Sequence, residues 1–503
     1  MKNVLEYLNK SSSKYPDKIA VIYEDEKITY MDFNNRCKSI GTFLCDKSEP
    51  CKSIVTFMEK DINSLSSFFG IVYAGCFYTF LNPEFPESRL KEIVGVLNPS
   101  IVISDDANIE LAKQYFSEIE VVNINDIKDT PIDEKKLSFV SQKQIDYDPL
   151  YVNFTSGSTG VPKGVVISHR SVIDFIDIFT EEFKFKKSDI IANQAPFDFD
   201  VSVKDIYSSI KVGATLVIIP RKLFSNPTKL LDYICDNKCT TMTWAVSALC
   251  LITTFHGLDY KIPMDINKVI FSGEVMPLKH LKLWMNALPK AKFINVYGPT
   301  EITCNCTYHI IDRKRDYEEY IPIGKSFRNE RVLLLDENDK LITEENQVGE
   351  ICVSGTALAL GYFKNKEQTE SHFVQNPLVD GYIELIYRTG DLGMYDSNKD
   401  LVFKGRKDFQ IKFQGHRIEL EEIEKNISLI DEVVRCCVLF DEEKSKLYGF
   451  YIGNIDKKEL RDKLKINLPA YMIPTSLDQM EEFPLNKNGK IDRKALFAIK
   501  RSK

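Results

Sequence analysis

Residues 154–164 read Phe-Thr-Ser-Gly-Ser-Thr-Gly-Val-Pro-Lys-Gly. Hydroxyls and glycines alternate, and a lysine follows. Such a run can wrap a polyphosphate: glycines let backbone N–H groups approach the anion, hydroxyls donate, and Lys163 adds charge. It is not a Walker A loop, because Val161-Pro162-Lys163-Gly164 follows Gly160 and no GK[ST] element occurs there. For this loop alone, a polar surface turn is the plain alternative. Near the C-terminus Lys487, Lys490, Arg493 and Lys494 cluster, a group that out of context is a solvated basic face. Two carboxylates, Asp198 and Asp200, share the segment Ala195–Tyr207 (APFDFDVSVKDIY) with Lys204. The 12 cysteines are scattered, and the close ones, Cys304/Cys306 and Cys436/Cys437, lack metal-knuckle spacing. Reduced, partly buried thiols are therefore expected rather than zinc or disulfides.

Elements that alternate along the chain must position these groups. Ser53–Met58 is an apolar run of strand length. Ile62–Ala74 has helical spacing and stops at Gly75, and Phe77–Leu81 is a second strand-like run ending at Asn82-Pro83. Strand, helix, strand at this spacing predicts a parallel α/β unit. Ile101–Ser104, Val121–Ile124, Ala214–Ile219 and Lys268–Phe271 continue the pattern, with Leu278–Leu288 helical. From Val332 the runs shorten (Val332–Asp336, Gly349–Ser354, Asp400–Lys404), which predicts a β-rich subdomain. The charged stretch Gly405–Asp408 then marks a boundary. Residues 1–407 are expected to form a large region of α/β sheets plus the β-rich piece, and residues 408–503 a small α+β domain.

The bulk numbers agree with this division. A chain of 503 residues exceeds one hydrophobic core. Net charge is −7 with both signs mixed and no basic tract, which argues against a nucleic-acid partner. No apolar run reaches the ~18 residues of a spanning helix, and the N-terminus lacks an apolar signal region, so a cytoplasmic monomer is expected.

Further motifs follow in order: Gly70–Leu90, Asn295–Glu301 (NVYGPTE), Gly349–Phe363 (GEICVSGTALALGYF), Tyr387–Leu392 (YRTGDL), Gly405–Glu424 (GRKDFQIKFQGHRIELEEIE), Leu468–Thr475 (LPAYMIPT) and Asn486–Leu496 (NKNGKIDRKAL). With the 154–164 loop, this ordered set resembles the adenylate-forming superfamily of acyl-CoA synthetases, luciferases and the adenylation domains of nonribosomal peptide synthesis, over nearly the whole chain. The resemblance implies ATP and Mg²⁺ as cofactors. Thr155, Ser156, Gly157, Ser158, Thr159, Gly160 and Lys163 would hold phosphates, with Gly298 and Thr300 completing the nucleotide set. Tyr297 would lie against adenine with Asn295 at its amino edge, Asp391 would accept from the ribose hydroxyls, and Arg406 would be the second ribose contact. Glu301 would hold Mg²⁺, a hard cation suited to carboxylate oxygens. Lys490 matches the catalytic lysine, which neutralises charge as a carboxylate attacks the anionic α-phosphate. Asp408 matches the hinge about which the C-terminal domain rotates between half-reactions.

The same resemblance implies the substrate class. In amino-acid-activating members the aspartate at Asp200 pairs with the substrate's α-ammonium, and Val201, Ser272, Val296 and Gly298 line the substrate site. The nearest subfamily is the D-alanine:D-alanyl carrier protein ligases, which makes a small amino acid, D-alanine first, the expected substrate. Two departures stand out: Ser272 replaces that subfamily's usual cysteine, and Ser247-Ala248-Leu249 replaces its Thr-Pro-Ser element. Lys204 occupies a pocket-lining position and is expected to turn to solvent; the alternative is a salt bridge to an acidic substrate side chain. No condensation-type HHxxxDG and no carrier-type GGxS occurs, so the acceptor is expected to be the phosphopantetheine thiol of a separate acyl or peptidyl carrier protein. Three functions stay open here: an amino-acid:carrier ligase, an acyl- or aryl-acid:CoA ligase, and a silent nucleotide or amino-acid sensor.

Overall fold

The computed structural model describes residues 1–157, 162–408, 410–442, 444–485 and 491–501. Among these residues the strands form five sheets, and the chain divides into two units.

The first unit comprises Met1–Pro83, Leu97–Asn153 and Gly164–Lys407. One sheet runs, edge to edge, through Gly361–Tyr362, Lys163–Ser168, Pro149–Thr155, Phe77–Leu81, Ser53–Phe57, Ile101–Ser104 and Glu120–Asn123. Its middle is parallel, with Ser53 paired to Phe77 through to Phe57 paired to Leu81. Every residue of both strands is buried, which is why they read as continuous apolar runs rather than alternating ones. Helix Ile62–Tyr73 connects them. It starts in a capping box between Asp61 and Ser64, and the chain turns at Gly75, whose φ of 74° suits glycine.

A second sheet holds Ile19–Tyr23, Glu26–Thr29, Ile190–Asn193, Thr215–Ile218, Thr241–Ala245, Lys268–Ser272, Lys292–Tyr297, Thr307–Ile310 and Lys325–Ser326. Helix Val201–Val212 follows the Ile190–Asn193 strand and ends at Gly213 in the left-handed region. Aromatic packing joins the layers. The Phe69 ring lies 5.6 Å from both Phe33 and Tyr207, and the Tyr78 and Tyr207 hydroxyls are 3.0 Å apart. The expected β-rich piece is a third, antiparallel sheet of Glu330–Leu335, Gly349–Gly355, Phe373–Gln375, Leu385–Tyr395 and Leu401–Arg406. Its register sets Asp391 directly opposite Arg406.

The second unit comprises Glu84–Val96, Phe154–Lys163 and Asp408–Lys503. Its longest run begins at Asp408. Two short stretches from earlier in the chain, Glu84–Val96 and Phe154–Lys163, group with it as well. Hairpin Gln410–Phe413/His416–Glu419 precedes helix Leu420–Ser428 and the sheet Val433–Asp441, Lys446–Gly453, Ser476–Gln479. Within this unit Arg89 Nη1 lies 2.8 Å from Glu422 Oε1, with both side chains almost wholly buried.

Candidate active site

Strand Lys292–Tyr297 delivers Asn295, Val296 and Tyr297 in succession, all buried. The Asn295 amide donates to Pro322 O at 2.8 Å, which fixes which end of the side chain is the acceptor. The Tyr297 hydroxyl donates to one oxygen of Asp391, and Arg406 Nη1 donates to the other. Burial, then the charge of Asp391, holds the Tyr297 phenol well above its ordinary pKa, so it acts as a donor. An ionised carboxylate offers about four lone-pair sites. Two are taken here, leaving room for a diol to add two more bonds.

Past Gly298 and Pro299 the chain makes a 3-10 turn, Thr300–Ile302. Glu301 on it is fully buried, with Tyr362 Oη donating to Oε1 at 2.7 Å. Among the described residues no cluster of three or more His, Cys, Asp or Glu forms a metal cage. A single sheltered carboxylate fits Mg²⁺, which is ordinarily held by one or two carboxylates together with substrate phosphates and water. After the turn, Thr303 and Cys304 both take positive φ, 51° and 74°. This bend presses the backbone onto Gly298: a β-carbon there would lie 2.5 Å from Asn305 Cα and 2.8 Å from Cys304 O.

Asp200 is the residue before helix Val201–Val212, yet its side chain makes no capping hydrogen bond to that helix. Its carbonyl oxygen accepts from Cys304 Sγ at 3.0 Å. Burial, then the charge of Asp200, pushes the Cys304 thiol up, which keeps it a protonated donor. Lys204, four residues further along the helix, contradicts the expectation of a solvent-facing lysine, being 1 % exposed. Its Nζ donates to Ser272 Oγ at 3.3 Å and to Asn305 Oδ1 at 2.8 Å. The cause is that the helix is buried all round, every residue from Ser202 to Ile210 being buried, so no side of it faces solvent. Ser272 and Val296 are buried, and Val201 is partly exposed. Asp205, also 1 % exposed, accepts from Asn193 Nδ2 at 3.0 Å, and burial pushes its carboxyl up to about 7.

The structure therefore brings Asn295, Tyr297, Asp391 and Arg406 together, and groups Asp200 and Ser272 with Lys204, Cys304 and Asn305. Thr155, Ser156, Gly157, Lys163 and Asp408 belong to the second unit. There Ser156 Oγ donates to Arg417 O at 2.8 Å, Thr155 Oγ1 is buried without a hydrogen-bond partner among the described residues, Lys163 is buried, and Asp408 accepts from Gln410 N at 3.1 Å. Ser158, Thr159, Gly160 and Lys490 lie outside the described residues. Asn305 and Tyr362 were not singled out from the sequence, and Cys304 was weighed there only as a metal ligand. Asn305 carries no signal there beyond standing four residues past Glu301 in the same loop.

The family described as AMP-binding enzyme matches residues 8–363. The chain is 31% identical over 494 residues to zwittermicin A synthase ZmaJ of Bacillus cereus, covering 96% of this chain and 92% of that protein. It is 30% identical over 501 residues to bacitracin synthase 1 of Bacillus licheniformis, covering 98% of this chain but only 9% of that much longer protein. Among solved structures, the Vibrio cholerae adenylation domain AlmE in complex with glycyl-adenosine-5′-phosphate superposes with a TM-score of 0.87 at 21% identity, over 100% of this chain and 98% of that one. The holo form of an NRPS protein containing adenylation and PCP domains, bound to a vinylsulfonamide inhibitor, gives 0.84 at 22% identity, over 99% and 84%. At these identities the structural likenesses establish the fold.

Proposed function

Because the chain belongs to the family of AMP-binding enzymes, we propose that it joins an amino acid to the α-phosphate of ATP and passes the acyl group to the phosphopantetheine thiol of a carrier protein. The substrate carboxylate attacks the α-phosphorus and pyrophosphate departs, leaving an aminoacyl-adenylate. The thiol then attacks the acyl carbon and AMP leaves. Asp391 receives the ribose hydroxyls, with Tyr297 and Arg406 holding its orientation, and Asn295 presents an acceptor to the adenine amino group. Mg²⁺, held through Glu301, would offset phosphate charge when bound. Lys490 supplies the bridging cation, Thr155–Gly160 and Lys163 hold phosphates, and Asp408 is the hinge between the two steps. These roles are carried by the resemblance in motif order.

The observation that carries the amino-acid part is the position of Asp200. It stands in the Phe199-Asp200-Val201-Ser202 element, at the position whose aspartate pairs with the α-ammonium in the amino-acid-activating enzymes this chain resembles, and the Cys304 Sγ contact to its carbonyl ties it to the loop that also carries Asn305. The small-substrate reading, D-alanine first, follows the subfamily resemblance. A second reading has its own support. Lys204 places a buried ammonium beside Ser272 and Asn305, and a substrate side chain ending in a carboxylate would match it in charge. ATP–pyrophosphate exchange over D- and L-amino acids decides between them. Exchange with alanine supports the first and exchange with aspartate or glutamate the second. Exchange with propionate or benzoate as strong as with any amino acid would replace both with an acyl-ligase activity.

A further inference from the structure

We propose that Lys60 is the positioning residue that sets Asp200 for the substrate's ammonium group; the proposal rests on the role of Asp200 given above. Lys60 immediately precedes Asp61, whose capping box anchors the start of helix Ile62–Tyr73. Its Nζ reaches across to the end of strand Ile190–Asn193 and meets four oxygens: Asn193 O at 3.3 Å, Asn193 Oδ1 at 3.2 Å, Gln194 O at 3.1 Å and Ala195 O at 3.2 Å. It also stands 5.8 Å over the Phe197 ring. Burial pulls the Lys60 ammonium down to about 7, against the charges of Asp205 and Asp198 that hold it up; in its charged form it offers three donors and no acceptor, and four oxygens of the chain entering the Asp200 loop lie within its reach.

The far end of that loop is tied to the same lysine. Asn193 takes Lys60 on Oδ1 and donates from Nδ2 to Asp205 Oδ2 at 3.0 Å. Asp205 lies on the helix that Asp200 opens. Residues 194–200 are thus held at the strand exit by backbone carbonyls, and the helix they lead into is held through Asn193 at Asp205, in its second turn. Gln194 adds one more tie, accepting from Ala245 N at 3.2 Å. Without the ammonium, three carbonyl oxygens and an amide oxygen lose a shared partner at the point where the chain turns toward Asp200. A residue that fixes a loop at both ends governs where the group between them sits. An ångström of misplacement is enough to lose about a hundredfold in a positioned reaction.

The test is Lys60→Met, which keeps the stem and removes the donors, assayed by ATP–pyrophosphate exchange with the proteinogenic amino acids, their D forms and the matching deamino acids. The KM for the preferred amino acid should rise at least about tenfold, KM for ATP should stay within about twofold, and preference for the amino acid over its deamino counterpart should shrink. A wild-type amino-acid KM and preference in the variant would overturn the proposal. So would equal rises in both KM values, which mark a merely structural lysine. If the unmodified protein itself accepts deamino acids as readily, the Asp200 reading fails first, and this is visible before any variant is made. Should Lys60→Met not fold, as judged by circular dichroism, Asn193→Ala removes the amide that accepts from Lys60 and donates to Asp205, while leaving Lys60 its three backbone carbonyl partners. It should raise the amino-acid KM by a smaller factor, and an unchanged KM there refutes the positioning role.

Discussion

Asp391→Asn isolates the nucleoside cradle. The carboxylate is 3 % exposed and already takes Tyr297 on one oxygen and Arg406 on the other. Two lone-pair sites remain, which the proposed role gives to the ribose hydroxyls. A hydrogen bond to a charged acceptor is worth about 1.5–3 kcal/mol, against about 0.5–1.5 kcal/mol for a neutral one. Deleting one ribose hydroxyl should therefore weaken nucleotide binding about 10- to 150-fold in the unmodified protein. In the Asn variant one oxygen has become an NH₂ donor and the other has lost its charge. The same deletion should then cost only about two- to tenfold. Binding of ATP, 2′-deoxy-ATP and 3′-deoxy-ATP to both proteins closes a cycle in which the coupling is read directly. If both deoxy analogues lose the same factor in the two proteins, Asp391 does not hold the ribose. The variant's overall weaker ATP binding would then come from the disturbed Tyr297 and Arg406 contacts.

Gly298→Ala should destabilise the protein by about 1–3 kcal/mol, because the added carbon meets only backbone atoms of Cys304–Cys306; an unchanged thermal midpoint would contradict this packing. Lys490→Ala should nearly abolish pyrophosphate exchange while leaving ATP affinity within a few-fold, and near-normal exchange would remove its assigned role. His169, 1 % exposed with Nδ1 accepting from Val4 N at 3.4 Å, is pulled down to about 3 by burial. An unfolded chain protonates histidine near 6.5. Between these values the unfolded form holds more protons, so stability falls as pH drops, by up to about 1.4 kcal/mol per pH unit from this group. His169→Gln should flatten that acid limb in unfolding titrations, and an identical slope would rule His169 out as its source.

The elements that proved legible in the sequence are those whose surroundings are uniform. Phe77–Leu81 and Ile101–Ser104 lie buried on every face and begin and end where their apolar runs do. Asp391 and Arg406 were named from two separate motifs, and cross-strand pairing makes them neighbours. Lys204 was misread because its exposure is decided by the opposite wall, Ser272 and Asn305, 68 and 101 residues away. A local pattern of Val-Lys-Asp carries no trace of that wall. Asn305 and Tyr362 were missed for the same reason. Each gains its meaning from a long-range contact, Asn305 to Lys204 and Tyr362 to Glu301, across a fold that has to exist first. A contiguous reading of the chain also leaves out of the second unit the stretches Glu84–Val96 and Phe154–Lys163, which group with the run from Asp408 only through the fold.

That upstream membership has a consequence during synthesis. Arg89 leaves the ribosome 333 residues before Glu422, its buried counter-ion. At about 5–20 residues per second this is roughly a quarter of a minute to a minute. Throughout that interval Arg89 lacks the carboxylate it pairs with in the finished second unit. The nascent chain therefore cannot finish its second unit in order of emergence.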